Sequence, residues 1–106
     1  MLIVEELALD VVRDVRGVLG RVQRQDRSLF DQARRAGCSV VLNIAEAQGS
    51  DAGNARARYA TASGSARELS AALRLAVAWG YVGEASVAPV ETKLDRVRRM
   101  LWGLRR

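Results

Sequence analysis

Histidine is absent from this chain, cysteine and proline occur once each, and a single lysine stands against sixteen arginines. Without histidine, the base that most often activates a serine or cysteine nucleophile is missing. No Cys/His zinc site can form, and one cysteine allows no disulfide within the chain. Aromatic residues make up only 5% of the sequence, so a stacking surface for bases is not expected. The longest apolar runs are far too short to span a bilayer. The first residues, Met1-Leu2-Ile3-Val4-Glu5-Glu6, lack a positive segment and meet acids at once. No signal peptide is expected from them, and the cytoplasm is the expected compartment.

The 106 residues give room for one domain, expected to span 1–106, around one core. Formal net charge is +5 and the isoelectric point about 10.6, which favours an acidic partner: nucleic acid, an acidic protein or an anionic membrane surface. The arginine bias suits bidentate contacts to phosphate or carboxylate. A GC-rich genome would produce the same bias, and composition leaves the two explanations open.

Apolar residues recur at helical spacing throughout. Val4, Ala8, Val11, Val15, Val18 and Val22 alternate four and three apart, with Leu7 and Leu19 widening the stripe. Early acids and late arginines suit the dipole of a first helix over about 3–23. Ser28-Leu29-Phe30-Asp31 reads as a capping box. It opens a second helix over 28–48 with Leu29, Ala33, Ala36, Val40, Ile44 and Ala47 on its apolar face. Cys38 is expected to be a small buried thiol.

A third helix is expected over 52–79, stopped by Gly80. Its main seam is Tyr59, Ala62, Ala66, Leu69, Leu73 and Ala76. A second line beside it, Ala57, Thr61, Gly64, Glu68 and Ala71, is small and polar. Gly64 is expected to offset its helical cost by letting a neighbouring helix approach closely. Ser86 is expected to cap a last helix over 86–104, with Pro89 in its first turn and Val87, Val90, Leu94, Val97, Leu101 and Leu104 as its seam. Four helices with three short connections predict an all-α, up-down-up-down antiparallel four-helix bundle.

Within this pattern stand Gln32, Arg34, Arg35, Ala36, Ser39, Asn43, Ile44, Ala45 and Glu46, followed by Ala62, Gly64, Ser65, Glu68, Leu69, Gly80 and Tyr81. These residues resemble the helix 2 and helix 3 signatures of the bacterial four-helix bundle proteins named for the intervening sequence in 23S ribosomal RNA genes. Val41 stands where that family usually has proline, and Ala47 where it usually has glycine. The first change is expected to straighten helix 2 and the second to lengthen it. The resemblance implies a homopentamer, as in some members. It also implies nucleic-acid binding, as in a branch that assists the reverse transcriptase of diversity-generating retroelements. The family's name reflects gene location, and a ribosomal function does not follow from it.

Ser39, Asn43, Glu46, Ser65 and Glu68 form the one polar cluster worth testing for chemistry. Glu46 and Glu68 could in principle serve as acid and base. The plainer reading is a buried hydrogen-bonded seam fixing the register of helices 2 and 3. The ligands are too few for a carboxylate metal site. No catalysis, cofactor or metal is expected.

Arginine is the more informative residue. Arg96, Arg98, Arg99, Arg105 and Arg106 follow the last acid, Asp95, and Arg34, Arg35, Arg67 and Arg74 could join them. An ordinary solvated face accounts for any single one. Together they predict non-specific DNA or RNA binding through phosphates, with Trp102 too isolated for base stacking. The competing expectation is a structural or protein-interaction module whose basic face meets an acidic protein.

Overall fold

A computed structural model describes residues 3–104. Its four helices are α1 (Ile3–Gln25), α2 (Arg27–Gln48), α3 (Ala52–Ala78) and α4 (Glu84–Leu104). Each helix packs on its neighbours in sequence, and α4 closes the ring against α1. The short connections make successive helices antiparallel, giving the expected up-down-up-down bundle about 42 Å long. Val11, Ile44, Leu69, Leu73, Leu94 and Leu101 are among the buried residues at its centre. The main apolar stripe of each helix faces inward.

The connections depart from expectation. Only Asp26 separates α1 from α2, and its carboxylate, not the Ser28 hydroxyl, caps α2 by accepting the Leu29 amide at 2.9 Å. A carboxylate suits the positive end of a helix better than a neutral hydroxyl. The same carboxylate accepts the Tyr81 hydroxyl at 3.0 Å, while Gln25 donates to the Tyr81 carbonyl at 3.1 Å. These bonds tie the α1–α2 break to the α3–α4 connection, and the anionic acceptor raises the Tyr81 pKa. Arg27 lies over the Phe30 ring, 5.8 Å from its centroid.

Helix α2 runs unbroken through Val41 to Gln48. Asp51 caps α3 by accepting the Asn54 amide at 3.0 Å, and that bond lowers its pKa. At the other end Gly80 adopts φ +81°, with its amide on the Val77 carbonyl and the Tyr81 amide on that of Ala76. This paired closure needs a residue at ease in left-handed backbone, which glycine supplies. Helix α4 starts at Glu84, two residues before the expected cap. Ser86 therefore sits inside its first turn and Pro89 in its second. The Ala85 carbonyl loses its helical donor there, but Ala85 is exposed and water can replace it.

Gly64 also departs from expectation. It is exposed, and a methyl group added there would meet nothing within 4 Å. The line Ala57, Thr61, Gly64, Glu68 and Ala71 is exposed throughout and forms the outer edge of α3. The glycine that faces a neighbouring helix is Gly37, which is buried on α2 with the Leu69 side chain 3.9 Å from the position of an added Cβ. Gly64→Ala should therefore stabilise the fold by about 1 kcal/mol. Thermal unfolding should show a rise of about 4–8 °C. A fall would mean that a helix from another copy packs against Gly64.

Candidate nucleic-acid interface

Only part of the expected polar seam forms. The hydroxyls of Ser39 and Ser65 lie 2.7 Å apart across α2 and α3. The Asn43 amide donates to the Ser39 carbonyl at 2.9 Å and to its hydroxyl at 3.1 Å. Arg58 reaches the Asn43 oxygen at 3.4 Å and pairs with Glu46 at 3.0 Å. Glu46 is exposed, not buried, because it lies at the open edge of the α2–α3 contact. Glu68 is exposed on the outer edge of α3 and takes no part in the network. Ten residues of helix, about 15 Å, separate it from Arg58. Glu46 and Glu68 thus form no acid–base pair. Among the described residues, no three His, Cys, Asp or Glu side chains gather into a metal-binding group.

The arginines fall on separate faces. In the groove between α3 and α4, Arg67 meets Arg98 and Arg99 beside Ser63, Asp95 and Trp102, around a cavity of about 300 Å³. Asp95 pairs with Arg99 at 3.2 Å. Among the described residues, Arg67 and Arg98 have no carboxylate within ion-pairing distance. Ser63 is buried at the floor while Trp102 is 58% exposed. The sequence hid this association, because Arg67 lies 31 positions from Arg98.

Further along the groove its character changes. Arg74 lines a second cavity with Val77, Glu84, Val87, Ala88 and Glu91. Buried Ser70 donates to one Glu91 oxygen at 2.6 Å and accepts from Arg74 at 3.2 Å. The other Glu91 oxygen is buried without a partner among the described residues. Two carboxylates offset Arg74 here, so the basic end of the groove is the one at Trp102. Ser63 and Ser70, seven residues apart, were not singled out in the sequence. Their spacing alongside Arg67 and Arg74 is the signal that marks a second contact face on α3.

Arg34 and Arg35 lie elsewhere, around a hollow on α2 with Arg27, Ser28 and Asp31. Arg34 also borders the α1/α2 groove with Arg16, Val12, Leu19, Phe30 and Cys38. The cyclic order of the helices places this groove across the bundle from the α3/α4 groove. Cys38 is exposed at its edge and not buried, since Gly37 and Val40 occupy the inward positions beside it. Arg96 is exposed and borders neither groove. Arg105 and Arg106 lie outside the described residues. No helix among the described residues is long and apolar enough to cross a membrane.

The half-buried amide and the exposed ion pair of the α2–α3 seam should differ in worth. Asn43→Ala should destabilise the protein by about 1 kcal/mol, because it strips donors from Ser39. Glu46→Ala should cost at most about 0.5 kcal/mol, as expected for a solvent-screened pair. Urea unfolding of both variants checks this, and equal losses would contradict it.

Comparison with known proteins matches this architecture. The crystal structure of a protein of unknown function from the S23 ribosomal protein family of Bacteroides thetaiotaomicron VPI-5482 is similar in fold. It superposes with a TM-score of 0.88 at 18% sequence identity, covering 98% of this chain and 99% of the other. No curated protein matches the chain. The sequence profile of the 23S rRNA-intervening sequence proteins matches residues 1–103. With that profile spanning nearly all of its length, the chain belongs to the 23S rRNA-intervening sequence protein family.

Proposed function

We propose that the protein is a non-catalytic, basic bundle of the cytoplasm that binds DNA or RNA through phosphates in the α3/α4 groove. The observation that supports this most is the meeting of Arg67, Arg98 and Arg99 from two helices at one cavity. Two of the three lack an internal carboxylate partner among the described residues. Guanidinium groups suit phosphate because their donors are fixed in a fork and always charged. The chain assembles as a homo-oligomer, a pentamer in this reading. Support comes from exposed Leu42, Leu75 and Trp79 and the uncovered small-residue edge of α3. Repetition of the groove around a ring would multiply its attraction for a polyanion. A role beside a reverse transcriptase fits such a binder.

A second reading has its own support. The α1/α2 groove is apolar along Val12, Val15, Leu19 and Phe30 and is flanked by Arg16 and Arg34. That combination suits an apolar segment of an acidic protein, making the molecule an interaction module.

Salt dependence separates the two. Binding of a short duplex DNA to the intact oligomer should weaken with salt, with a log–log slope of about 0.9 per phosphate contacted. Replacing Arg67, Arg98 and Arg99 by Gln should lower that slope by about two to three units. Arg34→Gln with Arg35→Gln should change it much less. An unchanged slope in the triple variant would remove the α3/α4 groove from the account. No binding at near-physiological salt would favour the interaction module.

A further inference from the structure

We infer that the α1/α2 groove receives about two turns of an amphipathic helix from another protein, with carboxylates on both sides of its apolar stripe. The inference deepens the interaction-module reading above by naming the form and charge pattern of the partner. Val12, Val15 and Leu19 line the groove from α1, and Phe30, Ala33 and Gly37 line it from α2. On each helix these positions recur three or four residues apart, so they form two facing rows along the helix axes. Each row covers about 10 Å, or about two helical turns. Val12 is 37% exposed and Phe30 is only partly buried. Their uncovered apolar surface is what a partner would bury.

The charges around this floor are unbalanced. Arg16 on α1 and Arg34 on α2 are both exposed at the groove. Neither guanidinium pairs with a carboxylate among the described residues. The nearest acids in sequence are engaged elsewhere: Asp14 with Lys93, Asp10 with Arg13 and Asp31 with Arg27. An occupant must therefore bring apolar groups and negative charge together. A phosphate backbone would meet the arginines but leave the valine and leucine surface facing sugar and charge. The cavity, about 250 Å³, falls below the usual size of a small-molecule site and suits side chains carried by a larger partner.

A helix laid between α1 and α2 meets both demands. Its residues at i, i+3 or i+4, and i+7 enter the groove, while flanking glutamates or aspartates reach Arg16 and Arg34. On the α2 side, the small side chains of Ala33, Gly37 and Cys38 let its backbone approach. A second copy of this chain offers no such helix among the described residues. No acid lies within four residues of exposed Leu75, Trp79, Trp102 or Leu104. Glu46, four residues from exposed Leu42, is held by Arg58. Exposed Ile3 has Glu5 and Glu6 beside it but supplies a single anchor.

The test uses the full chain in its native oligomer and three short synthetic helical peptides. The first carries leucines at three- and four-residue spacing with glutamates on both sides. The second has those glutamates changed to lysine, and the third has the leucines changed to glutamine. Fluorescence anisotropy reads binding, and the alkylation rate of Cys38, the sole thiol and exposed at the groove edge, reads its location. The first peptide should bind and slow Cys38 alkylation. The other two should bind at least about tenfold more weakly. Arg16→Gln with Arg34→Gln should weaken the first peptide about 2- to 30-fold. The melting temperature of that variant should be unaltered, since both side chains are exposed. Glutamate-dependent binding that neither protects Cys38 nor responds to Arg16 and Arg34 would overturn the inference while the interaction-module reading stands. Cys38 protected by oligonucleotide, or by oligomer formation alone, would give the groove to nucleic acid or to a second copy and overturn it too. If the first peptide binds nowhere on the protein, the inference and the interaction-module reading both fall.

Discussion

Close packing of α2 on α3 is the constraint from which the other features follow. It is the most extensive helix pairing in the bundle. Ala36, Gly37, Ala62 and Ala66 are all buried, and small side chains let helix backbones approach. The Ser39–Ser65 bridge of 2.7 Å then fixes one register among those that an alanine-rich contact would permit. Apolar packing supplies most of the stability, while the hydroxyl pair selects the register.

That register determines what α3 offers to its other neighbour. With Ser65 turned toward α2, Ser63 and Ser70 lie buried beside α4, and Arg67 stands at the groove between them. Helix α4 meets this face with Glu91 at one end and Arg98, Arg99 and Trp102 at the other. The groove accordingly runs from a partly acidic end to a basic, aromatic one. Across the bundle, Lys93 pairs with Asp14 at 2.5 Å between α4 and α1, and Gln48 donates to Glu5 between α2 and α1. A polar contact between helices therefore accompanies each of the four pairings, the one between α1 and α4 using the lone lysine.

Much of the fold was legible because period-3.6 apolar stripes translate directly into buried faces. Val4 through Val22 on α1 and Val87 through Leu101 on α4 are examples. Boundaries were less legible. Asp26 outcompeted Ser28 as a cap through its charge and its bond to Tyr81, a partner 55 positions away that no local pattern reveals. Close approach was expected at Gly64 but occurs at Gly37, because the azimuth set by the α2–α3 register turns Gly37 inward and Gly64 outward. The same azimuth placed Glu68 outside and Ser70 inside. For the candidate site, the sequence showed an arginine-rich last helix. It did not show that Arg67 joins that helix while Arg34 and Arg35 face away, because this depends on the cyclic order of four helices.

The central claim is that polyanion contact concentrates in the α3/α4 groove and is not spread over all basic faces. Arginine footprinting with phenylglyoxal, read residue by residue with and without a bound oligonucleotide, tests it most directly. The account predicts protection of Arg67 and Arg98 on binding, with Arg34, Arg35 and Arg96 modified as in the free protein. Protection spread evenly over all five, or confined to Arg34 and Arg35, would contradict it.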